Sequence, residues 1–197
     1  MKEARRIICL GDSITYGYPY GPRASWVALA GGPGLGLINR GLNGDTTAGM
    51  LRRLKADVID RGPMGAVILG GTNDAFLGRV ASEYQSNVRK IISALCRAGI
   101  HPVLGTVTPI HPEEAGRILP GQDLQIKKAG QLLDEYRRWL RSWARDREVP
   151  LIDFAAALSG QETASGPLLV DGVHPSREGY RLMAAEAQKV LSDLFTT

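Results

Sequence analysis

The sequence is poor in the features that fix a small fold from outside. Only two cysteines occur among 197 residues, Cys9 and Cys96. Cys9 lies in an apolar strand-like run and Cys96 on an apolar helix face, so both read as small core residues rather than a disulfide framework. A chain of this length buries roughly 70% of its unfolded surface and needs no such staple. No Cys/His spacing resembles a zinc site, and neither a metal nor a cofactor is expected. No apolar run approaches the length of a membrane-spanning helix. The N-terminal stretch MKEARRIICLGDS offers four apolar residues after its charges, too few for a signal-peptide core. The expectation is a soluble, cytoplasmic protein.

An excess of one charge is also missing. The net charge is +4. Basic residues gather between Tyr136 and Arg147, where Arg137, Arg141 and Arg145 recur at four-residue steps. Asp134, Glu135, Asp146 and Glu148 are interspersed, which reads as a solvated helix face and not a nucleic-acid surface. Repeats, low-complexity tracts and linkers are absent, so residues 1–197 read as a single domain.

What the sequence does contain is alternation. Short apolar runs at Ile7–Leu10, Leu35–Ile38, Ala66–Leu69, Val103–Val107 and Leu151–Phe154 read as five buried strands. Between and after them lie helical stripes: Leu51, Leu54 and Val58; Tyr84, Val88, Ile91, Ile92 and Leu95; Leu132, Leu133, Tyr136, Leu140 and Trp143; and Tyr180 through Leu194. Strands alternating with helices imply an α/β fold, a five-stranded parallel sheet covered on both faces. Ligands of such sheets bind beyond the carboxyl ends of the strands.

The segments that follow the strands carry the polar chemistry. They are Gly11-Asp12-Ser13, Gly41-Leu42-Asn43-Gly44-Asp45-Thr46, Gly71-Thr72-Asn73-Asp74 and Asp171-Gly172-Val173-His174. Each alone has an explanation as turn and cap chemistry. Together, and in this order, they resemble the four blocks of the GDSL, or SGNH, hydrolase family over residues 7–195. One departure is visible: the second block of that family often reads Gly-x-Ser-Gly, and Asn43 stands in the serine place, with Gly44 intact. The resemblance implies a flavodoxin-like three-layer α/β/α fold, no metal, and hydrolysis of ester-type acyl bonds.

The residue types suit that chemistry. A serine hydroxyl needs a base to become a nucleophile. Of the three histidines, His101 sits at the start of a strand and His111 in a loop beside Pro112. Only His174 follows the last strand with an acid, Asp171, three residues before it. Asp171 can fix the imidazole tautomer while the other ring nitrogen faces Ser13. The backbone N–H groups of Ser13 and Gly44 and the side-chain amide of Asn73 are the expected oxyanion donors. Asp12 reads as a buried acceptor that shapes the turn, and Asn73-Asp74 has a second reading as a helix cap. Tyr16, Tyr18, Tyr20 and Trp26 either line a pocket or pack the loop, and Pro109–Asp123 is the segment expected to face substrate. The partner expected is a small-molecule ester, through short-chain acyl transfer to Ser13. A carbohydrate acetylesterase or acyl thioesterase is the alternative activity. A flavodoxin-like binding domain without chemistry is the alternative class.

Overall fold

The computed structural model describes residues 5–195 apart from 33, 161 and 165. The N-terminal residues 1–4, on which part of the leader reading rests, lie outside it.

Five parallel strands form the sheet: β1 (Arg5–Gly11), β2 (Leu35–Gly41), β3 (Gly65–Leu69), β4 (His101–Gly105) and β5 (Leu151–Ile152), in the order β2-β1-β3-β4-β5. This is the flavodoxin-like arrangement, in which the order reverses between β1 and β3 and leaves a crevice at their carboxyl ends. Period-two alternation divides the core. Ile8 and Leu10 of β1 face one side with Ala66 and Ile68, while Ile7 and Cys9 face the other with Val67 and Leu69.

The first face is covered by α3 (Thr47–Asp57), α5 (Ala81–Arg97) and α7 (Asp123–Asp146), through Met50, Leu54, Ile91, Leu95, Leu133 and Tyr136. The second is covered by α2 (Trp26–Ala30), α8 (Phe154–Ala157) and α9 (Arg177–Phe195), through Trp26, Val27, Phe154, Met183 and Leu191. Three short helices, α1 (Ser13–Tyr16), α4 (Thr72–Phe76) and α6 (Pro112–Ile118), stand at the carboxyl edge of the sheet. A two-stranded antiparallel pair, β6 (Glu162–Thr163) with β7 (Gly166–Pro167), precedes the last loop. Neither of its short strands has an apolar run to announce it.

Two strands stop earlier than their apolar runs predict. β4 ends at Gly105 because the Thr106 hydroxyl donates to Asp153 Oδ1 at 2.9 Å and accepts from Ala155 N–H, turning the chain. β5 ends at Ile152 because Asp153 accepts from Ala156 N–H and caps α8. Cys9 is buried as expected, but Cys96 is exposed. It follows Leu95 by one residue, a turn of about 100° that carries it off the buried stripe. In the basic stretch of α7, Arg137 pairs with Asp134 and Arg145 with Asp146 of the same helix, while Arg141 reaches Asp153 beyond β5.

Candidate active site

The end of β1 delivers Ser13. Gly11 lies so close to its neighbours that a Cβ there would fall 2.1 Å from Thr15 Oγ1 and 2.6 Å from the Leu69 carbonyl oxygen. Glycine therefore permits the tight passage from strand to α1. Asp12 caps α1 by accepting from Ile14 N–H at 2.9 Å. Its other oxygen, Oδ2, is buried without a hydrogen-bond partner, and burial pushes the carboxyl up to about 7. The Ile14 bond and the nearby His174 offset that burial only in part. Ser13 then occupies the first position of α1, where a backbone N–H has no acceptor within the helix.

The segment Asp171–His174 folds around one carboxylate. Asp171 Oδ1 accepts from Val173 N–H at 3.0 Å and His174 N–H at 2.7 Å, and Oδ2 lies 2.7 Å from His174 Nδ1. Burial acts to raise the Asp171 carboxyl, but the bonds from the His174 ring and backbone outweigh it and hold it below the usual range. An ionised Asp171 requires the proton on Nδ1, which leaves Nε2 as an acceptor. Nε2 lies 3.0 Å from Ser13 Oγ, within reach of the hydroxyl proton. The segment is fixed from behind by α6. Gly172 carbonyl accepts from His111 N–H at 2.7 Å, and a Cβ on Gly172 would fall 2.4 Å from Ala115 N.

The opposite wall comes from the loop after β2 and from α4. Asn73 Nδ2 donates to the Asp45 carbonyl at 2.8 Å, which orients the amide and leaves its second N–H for the cleft. Behind it, Arg53 of α3 donates to Asp45 Oδ2 at 2.7 Å, to the Arg40 carbonyl at 2.9 Å and to the Gly11 carbonyl at 2.9 Å. One guanidinium thus joins the ends of β1 and β2 to this loop. Asp74 accepts from Thr47 N–H at 2.9 Å and from its hydroxyl at 2.5 Å, while Asn87 Nδ2 donates to the same hydroxyl at 3.1 Å. Burial raises the Asp74 carboxyl against the pull of the two Thr47 bonds.

These walls enclose a cleft of about 370 Å³ that includes Ser13, Gly44, Asn73, Asp171 and His174 in its lining. Every residue expected to act from the sequence is therefore placed at one cavity. Of the early aromatics, only Tyr18 lines it, with its ring 4.6 Å from the His174 ring. Trp26 is buried against Phe154, and Tyr20 packs on Tyr180 and Arg177. His111 supports the last loop through its backbone, and His101 packs on Phe195 at the far edge of the sheet. The segment after β4 reaches the cleft through Ile118 and Leu119.

Arg53, Thr47 and Asn87 escaped the sequence reading. The Arg53–Asp57 spacing gives an ordinary i,i+4 helix pair and no sign of the contacts to Asp45 and Gly11. Among the described residues there is no cluster of metal-ligating side chains, and no helix is long and apolar enough to cross a membrane.

Residues 9–182 match the GDSL-like Lipase/Acylhydrolase family. Esterase TesA of Pseudomonas aeruginosa is 26% identical, over 88% of this chain and 81% of that protein. Thioesterase 1/protease 1/lysophospholipase L1 of Escherichia coli K12 is 24% identical, over 97% of this chain and 85% of that protein. The crystal structure of the lipase/acylhydrolase from Enterococcus faecalis superposes with a TM-score of 0.74 at 26% identity, covering 96% of each chain.

Proposed function

The chain belongs to the GDSL-like lipase/acylhydrolase family and is a serine hydrolase of the SGNH type, and from that premise we propose that Ser13 is its nucleophile, His174 the general base and Asp171 the carboxylate that orients the base. The observation that carries the assignment is the continuous relay from Ser13 Oγ through the His174 ring to Asp171, with links of 3.0 and 2.7 Å.

The reaction runs in two halves. Ser13 Oγ attacks the ester carbonyl carbon while Nε2 takes its proton. The oxyanion that forms is met by the N–H groups of Ser13 and Gly44 and the free amide N–H of Asn73. Asp171 stays ionised and stabilises the imidazolium without taking the proton. The tetrahedral adduct collapses, Nε2–H gives its proton to the leaving oxygen, and the acyl group remains on Ser13. Water then attacks the acyl-serine with the same base and the same donors.

The substrate proposed is an ester with a short acyl chain. A cleft of about 370 Å³ lies near the lower end of the range for small-molecule sites. Tyr18, Ile118 and Leu119 give it apolar walls beside Ser13. A second reading, acyl thioester hydrolysis, draws on the Escherichia coli relative named a thioesterase. The same donors serve a thioester, and a thiolate leaves with less help from Nε2–H. A panel of p-nitrophenyl esters of rising acyl length, with acetylated sugars and acyl-CoA alongside, tests the proposal. Short esters should give the highest kcat/KM. A preference for acyl-CoA would establish the second reading, and no hydrolysis of any member would remove both.

A further inference from the structure

A second cavity, of about 180 Å³, sits at the open edge of the sheet and shares no lining residue with the catalytic cleft. Its floor is apolar, Ile8 of β1 and Ile38 of β2, which are register partners. Its charged lining is of one sign: Arg6, Arg40 and Arg61. β2 is the edge strand, so nothing in the sheet covers it on that side.

Several arginines elsewhere on this protein find acids, while Arg89 and Arg97 donate to neutral side chains. Arg53, Arg79, Arg137, Arg141, Arg145 and Arg181 all pair with carboxylates. Arg6, Arg40 and Arg61 pair with none among the described residues. The nearby acids are already engaged, Asp57 by Arg53 and Asp60 by Lys55. Arg61 Nε donates to the Ala56 carbonyl, which anchors that side chain and leaves its two terminal nitrogens uncommitted. Arg40 Nε is buried and has no hydrogen-bond partner. A buried guanidinium N–H left unmade is costly, more so than a neutral donor. Three like charges around an apolar floor also repel one another and focus a positive potential into the cavity.

We propose that Arg6, Arg40 and Arg61 form a binding site for one phosphate-type oxyanion, distinct from the catalytic cleft. Guanidinium forks match the geometry of tetrahedral oxyanions and bind them bidentately, and a single such ion would partner Arg40 Nε–H and offset all three charges. The apolar floor and small volume favour a compact anion over an extended chain.

The test uses the intact protein at constant ionic strength, titrated with sodium phosphate, sodium sulfate, glycerol 3-phosphate or sodium chloride. Arginine Nε–H resonances and the thermal midpoint are followed together. Phosphate or glycerol 3-phosphate should shift the Arg40 Nε–H signal saturably and raise the midpoint, while chloride should not. Tighter binding of phosphate identifies the free ion as the better ligand, and tighter binding of glycerol 3-phosphate a phosphomonoester. Arg61→Gln, an exposed position, should weaken binding about tenfold and leave ester hydrolysis unchanged. Arg40→Gln should abolish it. A linear, non-saturating response, an equal response to chloride, or full affinity in Arg61→Gln would overturn the proposal. If Arg40→Gln does not fold, the Arg61→Gln comparison decides alone.

Discussion

The two walls of the catalytic cleft are assembled by different means. The base wall is mostly local: one carboxylate, Asp171, takes two backbone N–H groups and a ring nitrogen from residues within three positions of itself, and a backbone bond from His111 N–H to the Gly172 carbonyl backs the turn. The donor wall is tertiary. Asn73 is oriented by the Asp45 carbonyl, Asp45 is held by Arg53, and Arg53 also holds the ends of β1 and β2. A four-residue turn can be specified by its own sequence. A wall drawn from β1, β2, α3, α4 and α5 stands only when the whole sheet has formed. Damage to the base wall should therefore fall on chemistry with little effect on folding, and damage behind the donor wall on both.

The largest effect expected is at the base. His174→Ala should lower kcat by about 10⁵-fold with the unfolding midpoint nearly unchanged. A variant that keeps a tenth of the activity would move the base elsewhere, to His111 first. Asp171→Asn comes next, at about 10⁴-fold, because the amide cannot stabilise the imidazolium and permits the wrong tautomer. Asn Oδ1 can still accept the two backbone N–H bonds, so the turn should persist. In the wild type the depressed Asp171 carboxyl contributes stability above its unfolded value of 3.8, lost as pH falls through the lower folded value. Asp171→Asn should lack that acid-limb loss, as urea unfolding at successive pH values would reveal.

The donor wall answers with smaller numbers. Asn73→Ala should reduce kcat by roughly 10²–10³-fold with a lesser change in KM, since the amide is proposed to act on charge that appears only in the transition state. An unchanged kcat would return Asn73 to service as a helix residue.

The same contrast explains what could be read from the chain before its structure. Asp171 and His174 are three residues apart and follow a strand, so their partnership is written in the spacing. The five strands are legible as apolar runs because a parallel sheet covered on both faces leaves no polar alternation. Arg53 is different. Its i,i+4 pair with Asp57 satisfies any local account, and its bond to the Gly11 carbonyl exists only because β1 and β2 end side by side beneath α3. Thr47, likewise, looks like the first residue of a helix, and its role in neutralising the isolation of Asp74 depends on a residue 27 positions away. Cys96 shows the limit of periodicity itself, one residue beyond a buried stripe and exposed.

Two further variants sharpen the difference between the walls. Thr47→Val removes a hydroxyl that serves both Asp74 and Asn87 and should cost about 2–3 kcal/mol of stability, with kcat lowered by less than Asn73→Ala lowers it. Unchanged stability in urea would show that the network does not hold the wall. Asp12 lies between the walls and is read through pH. Its carboxyl stands at about 7 in the folded protein against 3.8 ordinarily, so ionisation opposes folding. The opposition is absent below 3.8 and complete above about 7. Asp12→Asn, which keeps the acceptor for Ile14 N–H, should gain progressively on the wild type as pH rises from 3.8 to about 7, reaching on the order of 4 kcal/mol at the upper limit. Parallel stability curves for the two proteins would contradict that reading.

The most direct test of the account is covalent labelling by a fluorophosphonate, read by intact mass and by sequencing of the modified peptide. Activated serine attacks phosphorus as it attacks a carbonyl carbon. The account predicts one adduct per chain, located on Ser13, formed far more slowly in His174→Ala and not at all in Ser13→Ala. An adduct on another residue, or labelling that persists in Ser13→Ala, would contradict it.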